Sequence, residues 1–247
     1  MASNLVLGVI PARYGSTRFE GKPLIDIAGK TMIQRVYEQV QKANLDKIIV
    51  ATDDTRIYKH VQNWQGNVIM TDKKHPSGTD RCAEVAALYP EYNFILNIQG
   101  DEPLIHPDTI NSLIHTLNNP DCHIATAYTD FKDMESLLSS NTAKVVMDVR
   151  GKVLYFSRSV IPYIRNLPQN EWLKQYPYKK HVGIYGFRRN ILLEIAQISP
   201  SSLEQAESLE QLRWLEQGYQ MYAFYTPHDA IGVDTPADVD KIIKKLC

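Results

Sequence analysis

The sequence predicts an α/β protein built on a doubly wound, mostly parallel sheet. Three observations carry that expectation. Short Val- and Ile-rich runs recur through the first half, amphipathic segments separate them, and turn residues follow each run.

The runs LVLGVI (5–10), KIIVAT (47–52), NVIMT (67–71) and FILNIQ (94–99) read as buried parallel strands, because they are apolar without alternation. In TMIQRVYEQVQKA, the residues Met32, Ile33, Val36, Tyr37 and Val40 fall on one helical face. Residues 79–88 and 108–117 repeat that period, and Pro107-Asp108 marks a helix start. Strand–helix–strand alternation of this kind implies right-handed crossovers.

The second half reads differently. KVVMDVRGKVLYFSR is two strands joined around Arg150-Gly151. A polar, aromatic stretch with Pro162, Pro168 and Pro177 precedes a strand, HVGIYGF. ESLEQLRWLEQG reads as one helix with Leu209, Leu212 and Leu215 inward and Gly218 as its stop. QMYAFYT is a strand, and TPADVDKIIKKL is a final helix capped by Thr235, with Pro236 at its first position. No repeat or low-complexity linker interrupts the chain. The expectation is a single domain over residues 1–247, with an inserted lobe at roughly 130–185.

At 247 residues the chain can bury a full core without a covalent staple. Hydrophobic residues make up 44% and charged residues 22%, both ordinary for a globular fold. A net charge of -1 gives no electrostatic case for nucleic acid or a membrane surface. Any polyanion site must therefore be a local concentration of basic residues. Cys82, Cys122 and Cys247 are odd in number and widely spaced, which fits neither a disulfide framework nor a metal site. That pattern, with no signal peptide in MASNLVLGVIPARYGS and no apolar run of spanning length, predicts a cytoplasmic protein. The histidines lack zinc-ligand spacing, and Ser157 and Ser159 lack the setting of a nucleophile elbow.

The first loop, VIPARYGSTRFEGKPL, follows a predicted strand at the carboxyl edge where open α/β sheets bind ligands. Arg13, Arg18 and Lys22 stand there among Gly15, Ser16 and Gly21, a mixture suited to phosphate. It is not a P-loop: five residues separate the two glycines, and Pro23 follows the lysine. These residues alone also fit a solvated basic loop. FILNIQGDEPLI sets Asp101 just past another strand, where a carboxylate can hold Mg²⁺ against phosphates. Asp101 reads equally well as a turn or cap residue. Asp234, in AIGVDTPADVD, has the same placement far along the chain.

The segments IPARYGSTRFEGKPL, ATDD (51–54), HPSGTDR (75–81), NIQGDEP, FSRSVIPY, HVGIYGFRR, ESLEQLRWLEQG and GVDTPADVD occur in this order over nearly the whole chain. Together they resemble the 3-deoxy-manno-octulosonate cytidylyltransferases, or CMP-Kdo synthetases. The resemblance implies a nucleotide-diphospho-sugar transferase fold of GT-A type, with an inserted dimerisation and acceptor lobe. It implies transfer of CMP from CTP to the anomeric hydroxyl of the sugar acid for lipopolysaccharide synthesis, with Mg²⁺ as cofactor and a homodimer as the working form.

By the same likeness Arg13 and Lys22 contact the triphosphate with Ser16, and Asp101 and Asp234 are the metal ligands. Ser77, Gly78 and Arg81 fall in the segment resembling the cytosine pocket, with Ala12 and Gln99 near the nucleoside. Arg158, Arg165, His181, Tyr185, Glu210 and Gln211 match the acceptor side, where arginine can grip a carboxylate and polar groups can meet hydroxyls. Without the resemblance, His181 reads equally as a strand-edge histidine and Glu210 as an exposed helix residue. The rival readings are a cytidylyltransferase for a nonulosonic acid and a non-catalytic nucleotide-sugar-binding module. A GT-A glycosyltransferase fits poorly, because Asp101 is followed by Glu102-Pro103 instead of a second aspartate.

Overall fold

In the computed structural model, which describes residues 4–15, 19–229 and 232–246, strand β1 (Val6–Ala12) runs through the interior of the main sheet. Its side chains alternate: Val6, Ile10 and Ala12 enter one buried cluster, Leu7 and Val9 the other. Both faces are covered, as an uninterrupted apolar strand requires. A short antiparallel pair, β2 (Asp26–Ile27) and β3 (Lys30–Thr31), leads into α1 (Met32–Val40). The five residues expected on the inner face of α1 are all buried.

Then come β4 (Lys47–Thr52), α2 (Thr55–Asn63), β5 (Val68–Met70), α3 (Gly78–Leu88) and β6 (Phe94–Asn97). Strands β4 and β6 flank β1 in parallel, and β5 continues parallel beyond β4. The chain goes on through α4 (Pro107–Leu117), β7 (Ile124–Asp130), α5 (Met134–Leu138), β8 (Lys144–Met147) and β9 (Val153–Ser157). It ends with α6 (Trp172–Gln175), β10 (Lys179–Arg188), α7 (Arg189–Ile195), α8 (Ser202–Glu207), α9 (Gln211–Glu216), β11 (Met221–Tyr225) and α10 (Pro236–Leu246).

The sheet order is β11-β7-β10-β6-β1-β4-β5, with the β8–β9 hairpin attached through β10. Strand β10 runs antiparallel to both β6 and β7, so the sheet is mostly parallel with one long reversed strand. Helices α1, α2 and α4 pack on one face; α3, α7 and α9 pack on the other. The segment between β7 and β10 carries its own small cluster of Phe131, Leu137, Trp172 and Tyr178. No helix among the described residues is long and apolar enough to cross a membrane.

Two local expectations need correction. Residues 207–218 do not form one helix: Ser208 adopts φ 50, a left-handed conformation that ends α8 before α9 begins. The salt bridge from Arg213 to Glu204 and the backbone bond from Leu209 N–H to the Glu204 carbonyl hold the two short helices at that break. Leu215 is only partly buried as a result, while Gly218 (φ 81) does act as the stop. At the last helix the capping direction is reversed. The Asp238 carboxylate accepts from the Thr235 hydroxyl and from the backbone N–H groups of Asp234 and Thr235. The Lys241 ammonium first, and then the Thr235 hydroxyl and those backbone bonds, hold the Asp238 carboxyl well below the usual carboxylate range.

Candidate active site

Strands β1 and β6 end side by side, and the loops that leave them form the walls of a cleft of about 250 Å³. Ala12, Arg13, Lys22, Ser77, Gly78, Arg81, Gln99, Asp101 and Asp234 all line it, together with Pro11, His75 and Gly100. Residues expected to serve nucleotide and metal thus come together from four separate segments. Ser16 and Arg18 lie outside the described residues.

Each wall has a local cause. The first loop turns back on itself where the Gly21 N–H bonds to the Tyr14 carbonyl at 2.9 Å. Gly21 has φ 71, and a Cβ there would press within 3.1 Å of the Tyr14 ring, so glycine meets both demands. Helix α3 aims its N-terminus at the cleft, with Ser77 as its cap and Gly78 as its first residue. Unpaired N–H groups at such an end favour an anion. Gly100 packs directly on β1, since an added Cβ would lie 2.7 Å from the Pro11 carbonyl oxygen.

The acidic side is assembled by the fold. The Val233 N–H donates to the Asp101 carbonyl at 3.0 Å, which brings the 232–234 segment against the Gln99-Gly100-Asp101 loop. The Lys22 ammonium then lies 2.6 Å from Asp101 and 3.4 Å from Asp234. Next to Asp101, Glu102 is buried; desolvation, reinforced by the charges of Asp101 and Asp229, pushes its pKa up to about 8. Glu102 therefore holds its proton at neutral pH.

Some expected residues have other partners. The Arg81 guanidinium bonds to Asp53 at 2.8 Å and to the Thr71 hydroxyl, which locks it in the cleft floor. Gln99 donates to the Gly183 carbonyl at 3.1 Å, linking the end of β6 to β10. Arg158, expected to grip an acceptor carboxylate, donates instead to the carbonyls of Glu207, Ser140 and Ser208. Glu210, expected to meet a sugar hydroxyl, has both oxygens engaged within the protein: Ser77 and Thr79 hydroxyls and the Arg213 guanidinium all reach it. Burial raises the Glu210 pKa, while its bonds from Thr79 and Ser77 oppose that shift.

His181 bonds to Thr126 at 2.9 Å, and burial pushes its pKa down to about 3, so its imidazole is neutral. Tyr185 is buried edge-on against Trp214, and burial raises its hydroxyl pKa well above the ordinary value. Gln211 is also buried, whereas Arg165 is exposed on the segment after β9. His75, at the head of the HPSGTDR segment, lines the cleft and pairs with Glu84 on α3, a role its motif does not signal. Asn97 is a second residue that its motif does not single out. It is buried, with a side-chain oxygen that has no partner, and it sits opposite Tyr185 in the β6–β10 register.

His106, Asp108 and His228 form a second grouping of metal-capable side chains. Their imidazoles stack 3.5 Å apart with 8° between planes, so the in-plane lone pairs run parallel and do not converge on one ion. Asp101 and Asp234, by contrast, already face a single cationic group from two sides.

A mostly parallel sheet whose edge carries a basic loop, a helix N-terminus and two converging carboxylates is the arrangement of a nucleotidyltransferase. The family model described as cytidylyltransferase matches residues 7–223. The chain belongs to the 3-deoxy-manno-octulosonate cytidylyltransferase family. It is 50% identical over 245 residues to that enzyme of Parabacteroides distasonis, covering 97% of each chain. It is 49% identical over 241 residues to that of Fusobacterium nucleatum, covering 97% of this chain and 96% of the other. A solved structure of CMP:2-keto-3-deoxy-manno-octonic acid synthetase complexed with CTP superposes with a TM-score of 0.92, at 42% identity over 98% of each chain. A 4-diphosphocytidyl-2C-methyl-D-erythritol synthase from Anaerococcus prevotii shares the fold, with a TM-score of 0.65 at 16% identity.

Proposed function

We propose that this cleft is where the chain transfers CMP from CTP to the anomeric hydroxyl of 3-deoxy-manno-octulosonate, releasing pyrophosphate. The observation that carries the site is the convergence of Lys22 with Asp101 and Asp234, which lie 79 and 212 positions away in sequence.

Mg²⁺ suits this donor set, because two hard carboxylates face one cation position beside a basic loop. When bound there, the ion would neutralise phosphate charge and polarise the α-phosphate. Asp101 and Asp234 are the residues to hold it. With an ion there, the Lys22 ammonium would serve the triphosphate beside the exposed Arg13, both stabilising charge on the leaving phosphates. Ser16 belongs to the same loop and by family likeness supports them. Ala12, Gly78 and Gln99 shape the nucleoside end, and Arg81 fixes its floor. The acceptor hydroxyl releases its proton to water, its oxygen bonds to the α-phosphorus, and the bond from that phosphorus to the bridging oxygen of the departing pyrophosphate breaks.

The acceptor side is read from His181, Tyr185 and Gln211 on the neighbouring elements, with Arg165 as the exposed guanidinium for a carboxylate. Residues 130–185 are read as the inserted lobe, through which a homodimer would form. In support, Leu154 and Tyr163 are exposed there at 61% and 70%. A cytoplasmic location fits Cys82 and Cys122, which are free and buried thiols.

The test is pyrophosphate release from each nucleoside triphosphate, assayed with 3-deoxy-manno-octulosonate and with a nonulosonic acid. Turnover should require CTP and the eight-carbon acid, and equal rates with ATP or preference for the nonulosonic acid would overturn the reading.

A further inference from the structure

Glu210 stands immediately before α9, yet its carboxylate reaches a loop more than a hundred residues earlier. The Thr79 hydroxyl donates to one oxygen at 2.9 Å, and the Arg213 guanidinium donates to the other at 2.9 Å. The Ser77 hydroxyl also lies 2.9 Å from Glu210, on the side that Arg213 occupies. Ser77 has a second carboxylate neighbour, Asp80 at 2.6 Å, and it accepts from the Asp80 backbone N–H as the cap of α3. Thr79 is buried and does not line the cleft, whereas Ser77 and Gly78, the two residues before it, do.

These contacts have a direction. Arg213 is itself fixed by Glu204 and by the Ile198 carbonyl, so Glu210 is held from the α8–α9 side. What remains to be held is the start of α3, where Ser77 caps the helix and Gly78 opens it, both lining the cleft. A hydroxyl bonded to a half-buried carboxylate is a stronger tether than one bonded to water.

We propose that Glu210 is a positioning residue for the nucleotide. Through Thr79 and Ser77 it fixes the N-terminus of α3 against the cytidine nucleotide, and it ties that loop to α9, the helix that carries Gln211. The inference rests on the assignment of the cleft to CTP. It moves Glu210 from direct contact with the acceptor to support of the other substrate. It also makes the nucleotide loop and the acceptor helix one mechanical unit.

The experiment is calorimetric titration of the full chain with CTP and Mg²⁺ in the absence of acceptor. Variants are Glu210→Ala, Glu210→Gln, Thr79→Val and the Ala–Val double, with Arg13→Ala as the reference for the cleft itself. Glu210→Ala should raise the Kd for CTP about tenfold and Thr79→Val about threefold. The double variant should be no worse than Glu210→Ala, because both act through one contact. Glu210→Gln keeps an oxygen for Thr79 and should recover most of the affinity. Acceptor KM at saturating CTP should stay within about twofold of the parent.

A folded Glu210→Ala with a lowered Tm and an unchanged Kd overturns the proposal, as does a rise in acceptor KM alone. If Glu210→Ala fails to fold, Thr79→Val decides, and an unchanged Kd there has the same force. Arg13→Ala separates the two levels: if it too leaves CTP binding intact, the assignment of the cleft has failed as well.

Discussion

The Lys22 ammonium bridges Asp101 and Asp234, at 2.6 and 3.4 Å, from opposite halves of the chain. The two carboxylates are 32% and 48% exposed, so the bridge is solvent-screened and worth at most about 1 kcal/mol. A contact this weak is easily exchanged. The lysine can leave for a phosphate, and a divalent ion can take its place between the aspartates.

Asp101→Asn and Asp234→Asn should each lower turnover on the order of a hundredfold, with little change in Tm. Each removes charge at constant shape from a partly exposed loop residue rather than a core one; Asp234 does not follow a strand as its sequence suggested, since β11 ends at Tyr225. Lys22→Met should also lower turnover, yet it should tighten Mg²⁺ binding measured without nucleotide, because the competing ammonium is gone. Weaker Mg²⁺ binding in Lys22→Met would show that the lysine and the ion do not share a position.

Gly100 is fixed by contact, not by backbone conformation. A Cβ there would lie 2.7 Å from the Pro11 carbonyl oxygen, closer than backbone can accommodate without moving. Gly100→Ala should cost roughly 1–3 kcal/mol and push the Asp101 loop away from β1, with loss of turnover. Gly183→Ala is the control, since nothing lies within 4 Å of its added Cβ. Equal melting temperatures for the two variants would refute this account.

The first half was legible because its strands are buried on both faces and its helices carry full apolar stripes. Met32, Ile33, Val36, Tyr37 and Val40 are all inside, as their spacing requires. The break at Ser208 was not legible, because the Leu209–Leu212–Leu215 spacing suits one helix as well as two. The partners of Arg158 and Glu210 were hidden for a related reason. Motif likeness places a residue near a site but does not say which of its neighbours takes its hydrogen bonds. Convergence of Asp101 and Asp234 was foreseen by resemblance alone, since the bond from Val233 to Asp101 that brings the segments together leaves no trace in sequence.

His181 should stay neutral in the folded protein far below the ordinary histidine range, because burial depresses its pKa to about 3. A depressed histidine pKa means that the unfolded chain binds the proton first. Stability should therefore fall as pH drops below about 6.5, at up to roughly 1.4 kcal/mol per pH unit from this group, until pH nears 3. Side-chain NMR of the folded protein should show no titration of His181 between pH 8 and 5. A midpoint near 6.5 would mean that the ring is solvated and open to an acceptor carboxylate.

Arg158 offers the clearest separation between a structural and a substrate-binding arginine. Its guanidinium donates to the carbonyls of Glu207 at 2.6 Å, Ser140 at 2.9 Å and Ser208 at 3.0 Å, while its own N–H donates to the Glu207 carboxylate. Three fixed donors pin the Ser140 loop, the end of β9 and the break between α8 and α9 to one point. The Lys144 ammonium reinforces the pin from inside the fold through the carbonyls of Ser139, Thr142 and Arg158. Arg158→Ala should cost about 1–3 kcal/mol, since water can reclaim only the more exposed of the carbonyls. For a chain of this length that lowers Tm by several degrees. Arg158→Lys should lose nearly as much, because an ammonium cannot reproduce the planar fork. Acceptor KM should change by less than about twofold in either variant below its melting range. An acceptor-binding arginine predicts the reverse, a KM increase of tenfold or more at an unaltered Tm, and that result would return Arg158 to the sugar-acid pocket.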